Sequence, residues 1–147
     1  MKTSDAIGFK PVIVWFWVIW AVCVAPGLLP AARDLSDQEV LIEQLKSDDP
    51  FVRGQVIMVM GQSGNPAFIK PLIGALQDKE PAVRVKAAGA LGAFRHPSIF
   101  KPLLAALKDP HAGVRMASAF SLGEVGGSKA IGPLVGALQD KDARVRT

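Results

Sequence analysis

Leu45, Leu76, Leu107 and Leu138 stand thirty-one residues apart, and so do Arg53, Arg84, Arg115 and Arg146. Val52, Val83, Val114 and Val145 keep the same step, as do Gly61, Gly92 and Gly123. A fifth column holds Asp78, Asp109 and Asp140, with Ser47 in the first copy. Such a register marks a repeat array, and it constrains the fold more than any other feature of the chain. A single short unit cannot cover its own apolar face, so the core must form between neighbours. The units run about 36–66, 67–97 and 98–128, followed by an incomplete 129–147.

Each unit reads as two helices. The first contains AFIKPLIGAL (Ala67–Leu76), SIFKPLLAAL (Ser98–Leu107) and AIGPLVGAL (Ala130–Leu138). In the second unit Ile69, Leu72, Ile73 and Leu76 form one apolar stripe at helical spacing. Pro71, Pro102 and Pro133 either mark the first turn of this helix or kink it. An acidic residue before Pro50 and Pro81 gives an N-cap and a first-position proline for the second helix. Val83, Ala87, Ala90 and Leu91 line one side of that helix, and their small size permits close stacking. Helix pairs are expected near 37–46 and 50–62, 67–77 and 81–94, 98–108 and 112–125, with one further helix near 130–139. The predicted fold is all-α, an α-solenoid of helical hairpins.

The string V-R-V-K-A-A-G-A-L-G (Val83–Gly92) resembles the HEAT-repeat family, in particular its short phycobilisome-lyase-like subtype with V-R-x-x-A-A-x-A-L-G. The third copy keeps Val114, Arg115, Ala117, Ala119, Leu122 and Gly123 but places Ser118 and Ser121 at small positions. The first keeps Val52, Arg53 and Gly61 and replaces the alanines by larger apolar residues. The likeness covers about residues 36–147. It implies an architecture and a binding surface, and it says little of activity.

The first thirty-two residues have a different character. Lys2 and Lys10 precede a stretch from Pro11 to Ala32 without a charge, in which VIVWFWVIWAVCVA (Val12–Ala25) is wholly apolar. A basic start and such a run read as a signal peptide or signal anchor over residues 1–32, before a repeat domain over 33–147. Fourteen residues make a helix of about 21 Å, short of a ~30 Å hydrocarbon core, which favours cleavage. The cleavage sites are poor, and residues 11–30 can anchor the chain in the membrane if they are retained. Arg33 is followed by Asp34, Asp37, Glu39 and Glu43, so the basic flank stays inside and the body is expected outside the cytoplasm, periplasmic or extracellular.

The body offers little acid–base or nucleophilic chemistry. The only cysteine, Cys23, and all three Trp precede it. His96 and His111 sit in turns at different phases of the repeat, as polar turn residues rather than ligands. No catalytic residue, cofactor or metal is expected, and the chain is read as not an enzyme. Residues 33–66 hold three basic and six acidic groups, whereas 67–129 hold nine basic and four acidic. That polarity, without Trp or Tyr in the body, does not make a nucleic-acid surface.

The recurring charges read as a structural ladder of Arg53, Arg84, Arg115, Arg146, Asp78, Asp109 and Asp140, each Arg pairing with the Asp six residues before it or with that of the adjacent unit. A binding surface is expected in columns that vary between units: Gln55, Gln62, Lys86, Arg95 and His96. The functional expectation is a non-catalytic protein-binding scaffold; the alternatives are the binding module of a lyase-type or other enzyme complex, or a nucleic-acid-binding repeat protein. The register also starts a second helix near Ala143, only a few residues of which are present, so either a longer array or docking of that end against a partner or a second copy is expected.

Overall fold

The structure, a computed structural model, describes residues 30–146, with side chains from Asp37 onward. The expected signal or anchor segment lies outside the described residues but for its last three. Among the described residues there is no strand. The helices are α1 (Pro30–Gln44), α2 (Pro50–Ser63), α3 (Ile69–Ala75), α4 (Pro81–Gly92), α5 (Phe100–Ala106), α6 (Ala112–Val125) and α7 (Ile131–Ala137). Residues 38–147 form one compact unit. α1 begins earlier than its apolar spacing suggested, since Pro30 is tolerated in a first turn and Ala31, Ala32 and Arg33 favour helix.

The first helix of each later unit opens with a 3₁₀ turn: Pro66–Phe68, Pro97–Ile99 and Gly127–Ala130. The α-helical part therefore starts at Ile69, Phe100 and Ile131, and Pro71, Pro102 and Pro133 each become its third residue. At that depth the missing N–H has no intrahelical acceptor to lose, so proline marks the start and does not break the helix. Asp49 caps α2, its Oδ1 accepting from Phe51 N–H at 2.8 Å. Glu80 does not do the same for α4: its side chain makes no cap bond, and its own N–H donates to Asp78 Oδ1 at 2.9 Å. The carboxylate two residues earlier is thus committed to the turn. The second helix of the next unit, α6, follows the same plan, with His111 N–H donating to Asp109 Oδ1 at 2.8 Å.

The second helices lie side by side in the order α2, α4, α6, and the first helices pack against them. Ile57, Met60, Leu72, Val83, Ala87, Leu91, Ile99, Leu103 and Leu122 form the core between the two layers. The glycine column sets how closely α2, α4 and α6 approach. A Cβ on Gly61 would lie 2.8 Å from Ala90 Cβ, and one on Gly92 would lie 2.7 Å from Ser121 Oγ. Ser121 replaces an alanine without leaving an orphan, because its hydroxyl donates across the gap to the Ala88 carbonyl at 2.8 Å. Ser118 donates back within its own helix to Val114 at 2.8 Å. Both are fully buried, and both hydroxyls are satisfied at little cost.

Candidate functional site: a charge ladder and an open helical face

The turn between the helices of a unit is where the charged columns meet. Arg53 donates from Nε and Nη2 to the two oxygens of Asp78 at 2.7 and 2.8 Å. Arg84 grips Asp109 in the same way at 2.8 and 2.9 Å, and Arg115 grips Asp140 at 2.7 and 2.8 Å. The remaining Nη1 turns back on its own unit. Arg84 Nη1 donates to the carbonyl of Asp78 at 2.9 Å, and Arg115 Nη1 to that of Asp109 at 2.9 Å. Each guanidinium therefore ties its own turn to the carboxylate twenty-five residues on, using the bidentate geometry that only arginine offers. Arg146 makes the backward bond, to the Asp140 carbonyl at 2.8 Å.

These pairs are mostly buried, and they move the acids as such pairs should. The Arg53 fork, helped by the Glu80 N–H, holds the Asp78 carboxyl below its ordinary value. Burial works to raise Asp109, and the Arg84 fork with the His111 N–H outweighs it, so this carboxyl also ends below. Arg115 and the Asp142 N–H bring Asp140 down to about 2. All three carboxylates have their forks and turn donors, so the ladder is a staple between units and offers no free charge to a ligand.

The residues expected to bind a partner fall in two places. Gln55 and Lys86 lie in one column on neighbouring helices, and Gln62 sits two turns further along α2. Gln55 and Gln62 are exposed, and Lys86 is half-buried. Arg95 and His96 are not on α4 at all but in the turn that follows it. Arg95 has a left-handed backbone (φ 43°) and reaches Glu124 at 3.5 Å. His96 caps the next 3₁₀ turn, its Nδ1 accepting from Ser98 N–H at 3.2 Å. That hydrogen bond explains the residue without a ligand. Among the described residues no group of His, Cys, Asp and Glu is placed to hold a metal ion.

The sequence reading missed the larger feature of the face that carries Gln55 and Lys86. Phe51 is 66% and Phe120 72% exposed, and Met58 and Met116 are exposed beside them. They stand on α2 and α6, Phe51, Met58 and Phe120 about one helical turn from the polar column and Met116 directly before it, and no role was assigned to them from the sequence. Between them α4 exposes only Ala82 and Gly89, with exposed Ala93 just past its end. The signal was present in the columns 51/82/113 and 58/89/120: Phe, Ala, Gly and Met, Gly, Phe are not a core column's substitutions. A groove of about 660 Å³ opens beside this face, lined by Gly89, Met116, Phe120, Leu134, Leu138 and their neighbours.

The profile of a family described as HEAT repeats matches residues 38–100 and 69–147. No curated protein matches the chain. A solved structure, the complex of CpcE and CpcF of phycocyanin lyase from Nostoc sp. PCC7120, is similar with a TM-score of 0.63 and 24% identity. The match covers 92% of this chain and 47% of that one, so the chain spans about half the length of its structural neighbour. At that identity the likeness is one of fold. It nevertheless corrects the expectation that the chain is no enzyme: the structure it resembles is that of a lyase complex. A repeat stack can belong to an enzyme while carrying no acid–base motif of its own, which is why a search for such motifs does not bear on the question.

Proposed function

Because the chain belongs to the HEAT-repeat family, we propose that it is the repeat-scaffold subunit of a protein complex, an enzyme complex of the lyase type among them, and that it grips its partner with the open face of α2, α4 and α6. The observation that carries this reading is the exposure of Phe51, Met58, Met116 and Phe120 on one face, where large apolar side chains are left largely uncovered. Aromatic and methionine side chains in such a setting are the residues that anchor interfaces. The staple of Arg and Asp pairs holds the helices in register, so the face is presented rigid. A partner then meets a preformed surface and orders little on binding.

The same proposal places the repeat body outside the cytoplasm, with residues 11–30 in contact with the membrane where they are retained. This part rests on the charge pattern around the apolar run alone. No helix among the described residues is long and apolar enough to cross a membrane. Reporter fusions after Thr147 decide the side: activity of a reporter that works only in the cytoplasm would remove the placement.

The face itself is tested by Phe120→Asp and Met58→Asp together in the full chain. Both positions are exposed, so circular dichroism should stay helical while proteins that co-purify with the unaltered chain are lost. An unchanged set of co-purifying proteins would show that the partner sits elsewhere.

A further inference from the structure

The face has a shape as well as a polarity. Large side chains rise from α2 (Phe51, Met58) and from α6 (Met116, Phe120), while α4 between them exposes only Ala82 and Gly89, with Ala93 just past its end. A Cβ added at Gly89 would meet nothing within 4 Å. Two side-by-side spacings of about 9 Å each separate the two walls, and an α-helix with its side chains is about 10 Å across. The result is a trough one helix wide, running along α4, with an apolar lining and a floor of small residues on either side of half-buried Val85 and Lys86.

One charge lies in it. Lys86 leans over α2, where Gly54 leaves room: a Cβ there would be 2.8 Å from Lys86 Nζ. The corresponding residues of the next two units are Val85 and Met116, so the glycine occurs where the lysine needs it. The ammonium sits 5.9 Å from the centre of the Phe51 ring. Arg53, Arg84 and Arg115 have their aspartates and Arg95 has Glu124, but no carboxylate among the described residues is within ion-pair distance of Lys86. A cation held in a fixed position against apolar surface, and half-buried, awaits a negative group.

Resting on the reading of this face as the partner surface, we propose that the trough takes one amphipathic α-helix of a partner protein, laid along α4. Its apolar stripe fills the space between the two walls, a small residue crosses Gly89, and a carboxylate side chain pairs with Lys86. A second copy of this chain fits less well through α4, which would bring another lysine to the same place.

The test uses the full chain in a nonionic detergent and two labelled synthetic helices. They share a Leu/Ala stripe and differ only in carrying Glu or Lys at the stripe's edge, so detergent binding is common to both. By fluorescence anisotropy the Glu peptide should bind at least tenfold tighter than the Lys peptide, and Lys86→Glu should reverse that order. Gly89→Trp fills the floor without disturbing the fold and should abolish both. Equal binding of the two peptides, or binding indifferent to Gly89→Trp, overturns the proposal. So does efficient disulfide formation between copies carrying Gly89→Cys with Cys23→Ser, which would make a second copy the occupant. If Phe120→Asp with Met58→Asp still releases the natural partner while the charge preference is absent, the face is right and only its acidic helical occupant is wrong.

Discussion

α4 and α7 are built from the same repeat and live under different conditions. α4 has a second helix on each side, and Val83, Ala87, Ala88 and Leu91 are buried in it. α7 has no buried residue. The same contrast separates α7 from α3, its counterpart in the register: Leu76 is 4% exposed and Leu138 58%, Ile69 7% and Ile131 61%. Burial here is thus a property of what lies alongside a unit and not of the unit's own sequence, as a quasi-one-dimensional stack requires. The ladder does not follow that trend. Arg115 holds Asp140 as closely as Arg53 holds Asp78, and Val145 is buried just beyond. A polar staple thus holds the turn after α7, whereas α4 is held by apolar packing along its length.

The largest expected effect separates the two ends of one column. Leu76→Asp places an unpaired charge in the core and should cost more than about 4 kcal/mol, enough to unfold the stack. Leu138→Asp should cost no more than about 0.5 kcal/mol, as exposed substitutions usually do. Chemical denaturation followed by circular dichroism compares them directly, and equal losses would end the claim that neighbours decide burial.

The glycine column gives the next test. Gly92→Ala brings a Cβ onto Ser121, and overpacking of this kind costs about 1–3 kcal/mol. At Gly123 a Cβ meets nothing within 4 Å, so Gly123→Ala should stabilise by up to about 1 kcal/mol through helix propensity alone. The same substitution should change sign within one column. Two losses of similar size would show that something already covers Gly123.

How much of this could be read beforehand follows the same division. Period, helix pairs and the apolar columns were legible because they repeat, and repetition averages out the ambiguity of any single stretch. The ladder was legible as a set of residues but not as a set of bonds: spacing allowed Arg84 to meet Asp78 or Asp109, and the structure uses the carbonyl of one and the carboxylate of the other. The trough was not legible. It arises from differences between units, Phe51 and Met58 against Ala82 and Gly89, and a search for register discards those differences. Lys86 was singled out from its variable column, but the room made by Gly54 appears only when α2 and α4 are side by side.

Removing a staple should act on the two regions unequally. Arg84→Ala should cost about 2 kcal/mol, between the limits for surface and fully buried pairs, and its effect should be global because α4 is central. Arg115→Ala should act locally, raising amide exchange of residues 131–145 at least tenfold while residues 81–92 keep theirs. In the unaltered chain residues 130–146 should already exchange faster than 81–92. Acid probes the same bonds. The ladder carboxyls titrate lower folded than the ~3.9 of an unfolded aspartate, so their stabilisation is complete above about pH 4. It is lost as the pH falls through the folded values, about 2 for Asp140. A denaturation midpoint that is flat from pH 5 to 2 would leave the ladder without energetic weight.

The smallest effect concerns the turns that lead into α3, α5 and α7. Asn65 accepts from Ala67 N–H at 3.0 Å and so caps the turn before α3. His96 does the same before α5 at 3.2 Å, with its Nδ1 also 2.7 Å from the Ser98 hydroxyl. In that column the third unit has Gly127, with φ 50° and no side chain to offer, so the turn before α7 lacks this support too. An N-cap Asn→Ala change costs about 1 kcal/mol, and Asn65→Ala should show it. His96→Ala should cost no more than about 0.5 kcal/mol, because the longer bond to the backbone is shared with a hydroxyl and the ring is exposed. His96→Asn should restore whatever is lost, since the shorter side chain carries the acceptor that Asn65 uses. If His96→Ala instead cost several kcal/mol, or released a bound metal that Asn does not retain, the histidine would be a ligand and the turn reading would fall. The ordering Asn65 above His96 is the sharper measurement, because it asks whether cap geometry sets the stability of each unit's entrance, down to the turn where glycine leaves α7 without one.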